Sequence, residues 1–116
     1  MNREEMKRRT KEFALRIIRL VEALPRSRTA EVIGRQLLRA ATSVGANYRA
    51  ACRARSNAEF IAKLGVVEEE SDECLYWLEL IVESGLVKRE RVADLVQEAD
   101  EITAIIVSSI QTARGK

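Results

Sequence analysis

The sequence predicts an all-α fold, an antiparallel up-down-up-down four-helix bundle. Three observations predict it. Apolar residues recur at three- and four-residue intervals through four long segments, and strictly alternating runs are absent. Strong breakers separate the segments: Pro25, the polar Ser56-Asn57 pair and Ser84-Gly85. The connections they leave are only a few residues long, which makes successive helices antiparallel neighbours. The 116 residues supply one domain with a core that needs no disulfide or metal staple.

The first helix is predicted over about residues 3–24, where Met6, Phe13, Ile17, Leu20, Val21 and Leu24 fall on one side at ~100° per residue. Pro25 ends it by excluding the helical region for the residue before it, and Arg26-Ser27-Arg28 form the turn. The second is predicted over about residues 29–55, with Thr29 as a candidate N-cap. Its core face is Ile33, Leu37, Ala40, Val44, Tyr48 and Ala51. Gly34 and Gly45 lie inside it. Each costs about 1 kcal/mol against alanine, a loss that close approach of another backbone offsets.

The third helix is predicted over residues 57–84, with Ser56 and Glu59 in the form of a capping box. Its core stripe is Phe60, Leu64, Val67, Ser71, Cys74, Leu75, Leu78 and Val82, and Gly85 stops it. The fourth is predicted over about residues 88–112, buried through Val92, Leu95, Val96, Ala99, Ile102, Ile106 and Ile110.

Charge is divided sharply along the chain. Residues 1–55 carry 14 Lys/Arg against five Asp/Glu, a net +9, and residues 56–116 carry six against 13, a net −7, which together return the overall +2. Such a division fits a nucleic-acid-facing half or two halves that attract one another. No apolar run approaches the ~20 residues a bilayer span needs, and MNREEMKRRTKEF lacks the apolar stretch of a secretory signal. The expected location is the cytoplasm. Cys52 and Cys74, outside any CxxC spacing, read as small apolar residues.

Two surface features bear on function. Arg35, Arg39, Arg49 and Arg53 lie within an arc of ~80° on the second helix, opposite its core face. Guanidinium forks suit phosphate oxygens, so the row is a candidate nucleic-acid-binding surface. The competing readings are a solvated face, or pairing with Glu68, Glu69, Glu70, Asp72 and Glu73 of the third helix. Aromatic interleaving is nearly absent, which argues against base-specific readout. On the third helix, Val66, Tyr76, Trp77 and Leu80 lie ~100–160° from the centre of the core stripe. This second apolar face, which holds the chain's only tryptophan, is a candidate oligomer interface.

The acidic run EEESDE invites a metal or acid–base reading. Bundle metal sites built on Glu-x-x-His need histidine, and the chain has none. A phosphate-cradling glycine loop and a nucleophile elbow are absent too. No metal, cofactor or enzymatic activity is expected.

Several words of the sequence occur in a specific order: Gln36-Leu37-Leu38-Arg39, Thr42-Ser43-Val44-Gly45-Ala46-Asn47-Tyr48-Arg49, Ala54-Arg55-Ser56, Glu59-Phe60-Ile61-Ala62-Lys63-Leu64, then Glu70, Glu73 and Tyr76-Trp77-Leu78. On these the chain, over roughly residues 10–110, resembles the four-helix-bundle family named after the intervening-sequence protein of bacterial 23S rRNA genes. The resemblance implies a ring-shaped homopentamer without an established enzymatic activity. A related branch is similar to accessory proteins of diversity-generating retroelements, basic pentamers that bind a reverse transcriptase and nucleic acid. Ala50, where the family pattern favours glutamate, and Glu69, where lysine is common, are departures at the junction of the second and third helices. The expected function is an oligomeric module that binds RNA, DNA or a ribonucleoprotein through the four arginines. The alternative is a protein-interaction scaffold or reverse-transcriptase accessory protein in which they serve subunit or partner contacts.

Overall fold

The structure, a computed structural model, describes residues 1–115. Four helices make up the chain: α1 (Arg3–Glu22), α2 (Arg28–Cys52), α3 (Asn57–Glu83) and α4 (Arg89–Ala113). They pack in a square: α1 on α2, α2 on α3, α3 on α4, and α4 back on α1 through the thinnest of the four seams. The long axis is 45 Å and the cross-section 21 × 19 Å, as expected for helices of 20–27 residues laid side by side.

The predicted stripes form the core. Phe13, Ile17, Leu37, Val44, Leu64, Val67, Leu78, Val92, Ile102 and Ile106 are fully enclosed, each large side chain contributing roughly 1.5–3 kcal/mol of apolar burial. Phe60, Leu75, Val82 and Val96 flank this core half-buried, and Ile81 joins it. Two polar side chains are enclosed. Thr10 returns its hydroxyl to the Met6 carbonyl at 3.0 Å, and Ser71 meets Thr103 at 2.8 Å across the α3–α4 seam. Cys74 is buried and Cys52 half-buried, both as free thiols.

The helix ends differ from the sequence expectation by one to three residues. α1 stops at Glu22: the Ala23 N–H is shared between Arg19 and Leu20, and the Leu24 N–H turns back to Val21 in a tighter closing turn. It opens on a reciprocal capping box, with Asn2 Oδ1 accepting from the Glu5 N–H at 2.8 Å and Glu5 Oε1 from the Asn2 N–H at 3.4 Å. The N-cap of α2 is Ser27 rather than Thr29: its hydroxyl accepts from the Ala30 N–H at 3.1 Å. α2 ends at Cys52, not Arg55, where Arg53 and Ala54 close back on Ala50 and Ala51. Ser56 caps α3 as expected, accepting from the Glu59 N–H at 3.1 Å; the Glu59 carboxylate reaches back to the Arg55 N–H at 3.5 Å instead of to the cap residue.

The α3–α4 turn depends on glycine. Gly85 has φ +81°; its N–H donates to Val82, and the Leu86 N–H donates to Ile81. These are the paired bonds of a Schellman ending, which needs the left-handed conformation. At Gly45 a Cβ would sit 3.5 Å from the Thr10 hydroxyl oxygen and 3.6 Å from its backbone, ordinary contact distances, so α1 lies against α2 here without excluding a methyl group. Gly34 faces side chains, where a Cβ would meet Val21 and Leu24 at 3.2 and 3.3 Å.

Candidate nucleic-acid interface

The four arginines, three on α2 and Arg53 at its C-cap, are all exposed, but the structure does not keep them as one row. Arg39 leans toward α3. Its guanidinium donates to Glu70 at 3.0 and 3.3 Å and to Glu73 at 2.9 and 2.8 Å. Glu70, and then Glu73, keep Arg39 firmly protonated. Arg39 in turn, with help from the Trp77 indole N–H at 3.1 Å, holds the Glu73 carboxyl below the usual carboxylate range. This residue is therefore a clamp between α2 and α3, the pairing alternative the acidic run allowed. The cause is angular: on the wheel Arg39 sits ~80° from Arg49, with α3 on its flank and α1 on the other.

Arg35 makes one long contact, 3.8 Å to Glu31 one turn earlier, with both side chains largely in solvent. Arg49 and Arg53 have no ion-pair partner among the described residues. They face α1, where Lys7, Arg8 and Lys11 meet them along a groove of about 320 Å³ that also holds Glu4. Glu4 engages Lys7 at 3.1 Å. Five cations thus line one groove against a single carboxylate. The i, i+4 pairs Lys7/Lys11 and Arg49/Arg53 bring this about, because that spacing lays two side chains along one helix flank. The sequence places Lys7, Arg8 and Lys11 among the positive charge near the arginine row, but not in one groove with Arg49 and Arg53. Two such pairs on helices predicted to be antiparallel neighbours were the available signal.

The second apolar face of α3 is divided. Tyr76 and Val66 are open to solvent, 53% and 39% exposed. Trp77 and Leu80 are half-buried and pack against the core of their own chain. Tyr76 and Trp77 meet edge to face with centroids 5.0 Å apart. The outermost members of the proposed interface are therefore Val66 and Tyr76, while Trp77 anchors the α2–α3 clamp through Glu73.

A second set of charges closes the square. Arg9 donates to Glu98 at 2.6 and 2.8 Å and to Glu101 at 2.6 Å, joining α1 to α4. Glu98 above all keeps Arg9 protonated. The Glu101 carboxyl lies below its usual range because Gln97 and then Arg9 donate to it. Among the described residues, no group of three or more His, Cys, Asp and Glu side chains is placed to hold a metal ion, and no helix is long and apolar enough to cross a membrane.

Residues 3–108 match the family model described as 23S rRNA-intervening sequence protein. A crystal structure of a protein of unknown function from the S23 ribosomal protein family of Bacteroides thetaiotaomicron superposes with a TM-score of 0.89 at 36% identity, over 96% of this chain and 99% of that one. No curated protein matches the chain.

Proposed function

The chain belongs to the 23S rRNA-intervening sequence protein family, and from that premise we propose that it is a non-enzymatic module that binds RNA by its phosphates in the α1–α2 groove. The observation that carries this reading is the convergence of Lys7, Arg8, Lys11, Arg49 and Arg53 on one groove with one opposing carboxylate. Each cation that neutralises a phosphate releases condensed counterions, so affinity falls steeply with salt. Arg39, already occupied by two carboxylates, is not part of the binding surface; Arg35 is at most a marginal member.

The test is binding to a structured RNA across a salt series. Five phosphate contacts predict a log–log slope of roughly −3.5 for single strands and −4.5 for a duplex. The double variant Arg49→Ala/Arg53→Ala lowers that slope by roughly 1.4–1.8, whereas Arg39→Met leaves it unchanged. Binding that is flat with salt, or equal in the double variant and the wild type, removes the groove from the mechanism.

The same reading makes the protein a homo-oligomer that uses the exposed Tyr76–Val66 face, in keeping with the pentamer the family resemblance implies. Solvent exposure of a tyrosine beside half-buried Trp77 and Leu80 supports it. Tyr76→Asp is the informative change, since Tyr76 lies outside the core. A drop in native mass with unchanged helicity supports the interface, and unchanged mass rejects it. A protein-interaction scaffold is the alternative if RNA binding fails at low salt.

A further inference from the structure

The end of the bundle where α1 and α3 begin holds a cavity of about 580 Å³ that the groove does not use. Arg3 and Arg55 stand on its rim, Phe60 forms one wall, and Ser108 and Thr112 of α4 form another. The Arg3 guanidinium lies 4.6 Å over the Phe60 ring. Tyr48 also lines the cavity although only 6% exposed. Its hydroxyl bonds to no nitrogen or oxygen among the described residues; the polar group beside it is the Cys52 thiol, a weak acceptor. Tyr48 is among the residues that line the cavity, so its hydroxyl stands where a ligand's acceptor can reach it.

We propose that this cavity receives a nucleotide, with the phosphate between Arg3 and Arg55, the ring system against the Phe60–Arg3 stack, and the Tyr48 hydroxyl donating to the ligand. Two cations on the rim select an anion, and the aromatic wall selects a flat ring. Burial pushes the phenol up to about 12, so Tyr48 keeps its proton and acts as a donor across the physiological range. The choice of a nucleotide among ring-bearing anions rests on the RNA reading above. Lys7 follows Arg3 by one turn of α1 and Arg53 precedes Arg55 by two residues, so the cations of groove and cavity follow one another along the same two chain segments. The ligand is then either a free nucleotide or an unpaired nucleotide of an RNA whose backbone lies in the groove.

The experiment titrates the full-length protein with adenosine monophosphate, uridine monophosphate and unphosphorylated adenosine, following backbone amide shifts by NMR. Expected are shifts at residues 51–57 and 108–112 with both monophosphates, and affinity at least about tenfold weaker for adenosine. Tyr48→Phe keeps the ring in place and weakens binding up to about tenfold. Ser108→Trp, at an exposed position, fills the cavity and abolishes binding. Shifts confined to the groove, equal binding of adenosine, or wild-type binding by Ser108→Trp overturns the inference.

An RNA hairpin with a one-nucleotide overhang, compared with its blunt form, separates the two sources. Preference for the overhang that Ser108→Trp erases places the chain end in the cavity; equal binding leaves a free nucleotide as the ligand. RNA binding with no monophosphate binding sinks the cavity and leaves the groove standing. Monophosphate binding in the cavity with no RNA binding does the reverse.

Discussion

Replacing Arg39 with methionine separates a structural arginine from a binding one. The variant keeps much of the aliphatic bulk and removes four charged hydrogen bonds to Glu70 and Glu73. Arg39 is about half exposed, and its partners are 15% and 35% exposed, so each ion pair is worth at most about 1 kcal/mol. Removing the cation also leaves two carboxylates one turn apart, a repulsion of a few tenths of a kcal/mol. The expected loss is about 1.5 kcal/mol at neutral pH, or roughly 6 °C in Tm for a domain of this size.

The pH dependence fixes the cause of that loss. The folded-state pKa of Glu73 is depressed, chiefly by Arg39. Its contribution is therefore complete above the ordinary carboxylate pKa of about 4.3 and disappears as pH falls through the lower folded value. Thermal melts followed by circular dichroism, at matched concentration, should show the full gap between wild type and variant at pH 7 and a gap that narrows steadily as pH falls below the ordinary carboxylate range. Arg35→Met is the control, since its one contact is 3.8 Å long and solvated; it should cost under about 0.5 kcal/mol. A gap that does not narrow with acidification, or an equal loss in the control, refutes the clamp.

Three further outcomes follow from the packing. Glu98→Gln weakens the α1–α4 tie at a half-buried site, 16% exposed opposite an arginine at 22%, and should cost about 1–2 kcal/mol in urea unfolding, with a double-variant cycle against Arg9→Met returning a coupling near 1 kcal/mol. Gly85→Ala forces a Cβ into the left-handed conformation at φ +81° and should lower stability by about 1 kcal/mol, read from the urea midpoint. Burial, with the nearby Glu70 and Glu73, pushes the Cys74 thiol up to about 12, so iodoacetamide at pH 8 should label Cys52 first and reach Cys74 only in denaturant, as intact mass will show.

The helices and the core were legible because periodicity is local: every residue placed on the α2 core face is buried, from Ile33 to Ala51. Gly85 was legible as a stop for the same reason, since one residue type meets one backbone need. The caps were less so. Thr29 and Ser27 are both competent acceptors, and only the path of the chain out of Pro25 decides between them. The arginine row shows the deeper limit. A helical wheel gives each side chain an angle about its own axis but not the identity of the neighbour at that angle. Arg39 and Arg49 share an exposed arc, yet one meets carboxylates and the other meets Lys7, Arg8 and Lys11. The end cavity was illegible altogether, because Tyr48 reads as a core residue and is one; its hydroxyl takes on meaning only beside residues from all four helices.

The Arg9 bridge has a consequence for how the groove behaves. Three of the five groove cations ride on α1, and α1 is fastened to α4 by the thinnest seam, which Arg9 bridges to Glu98 and Glu101. Added salt therefore works at two levels, competing with phosphate at the groove and loosening the helix that carries most of its cations. A steep salt response of RNA binding then contains a share that belongs to partial opening of the protein itself. Hydrogen exchange of the α1 amides over the same salt range measures that share directly, and subtracting it leaves the true number of phosphates held.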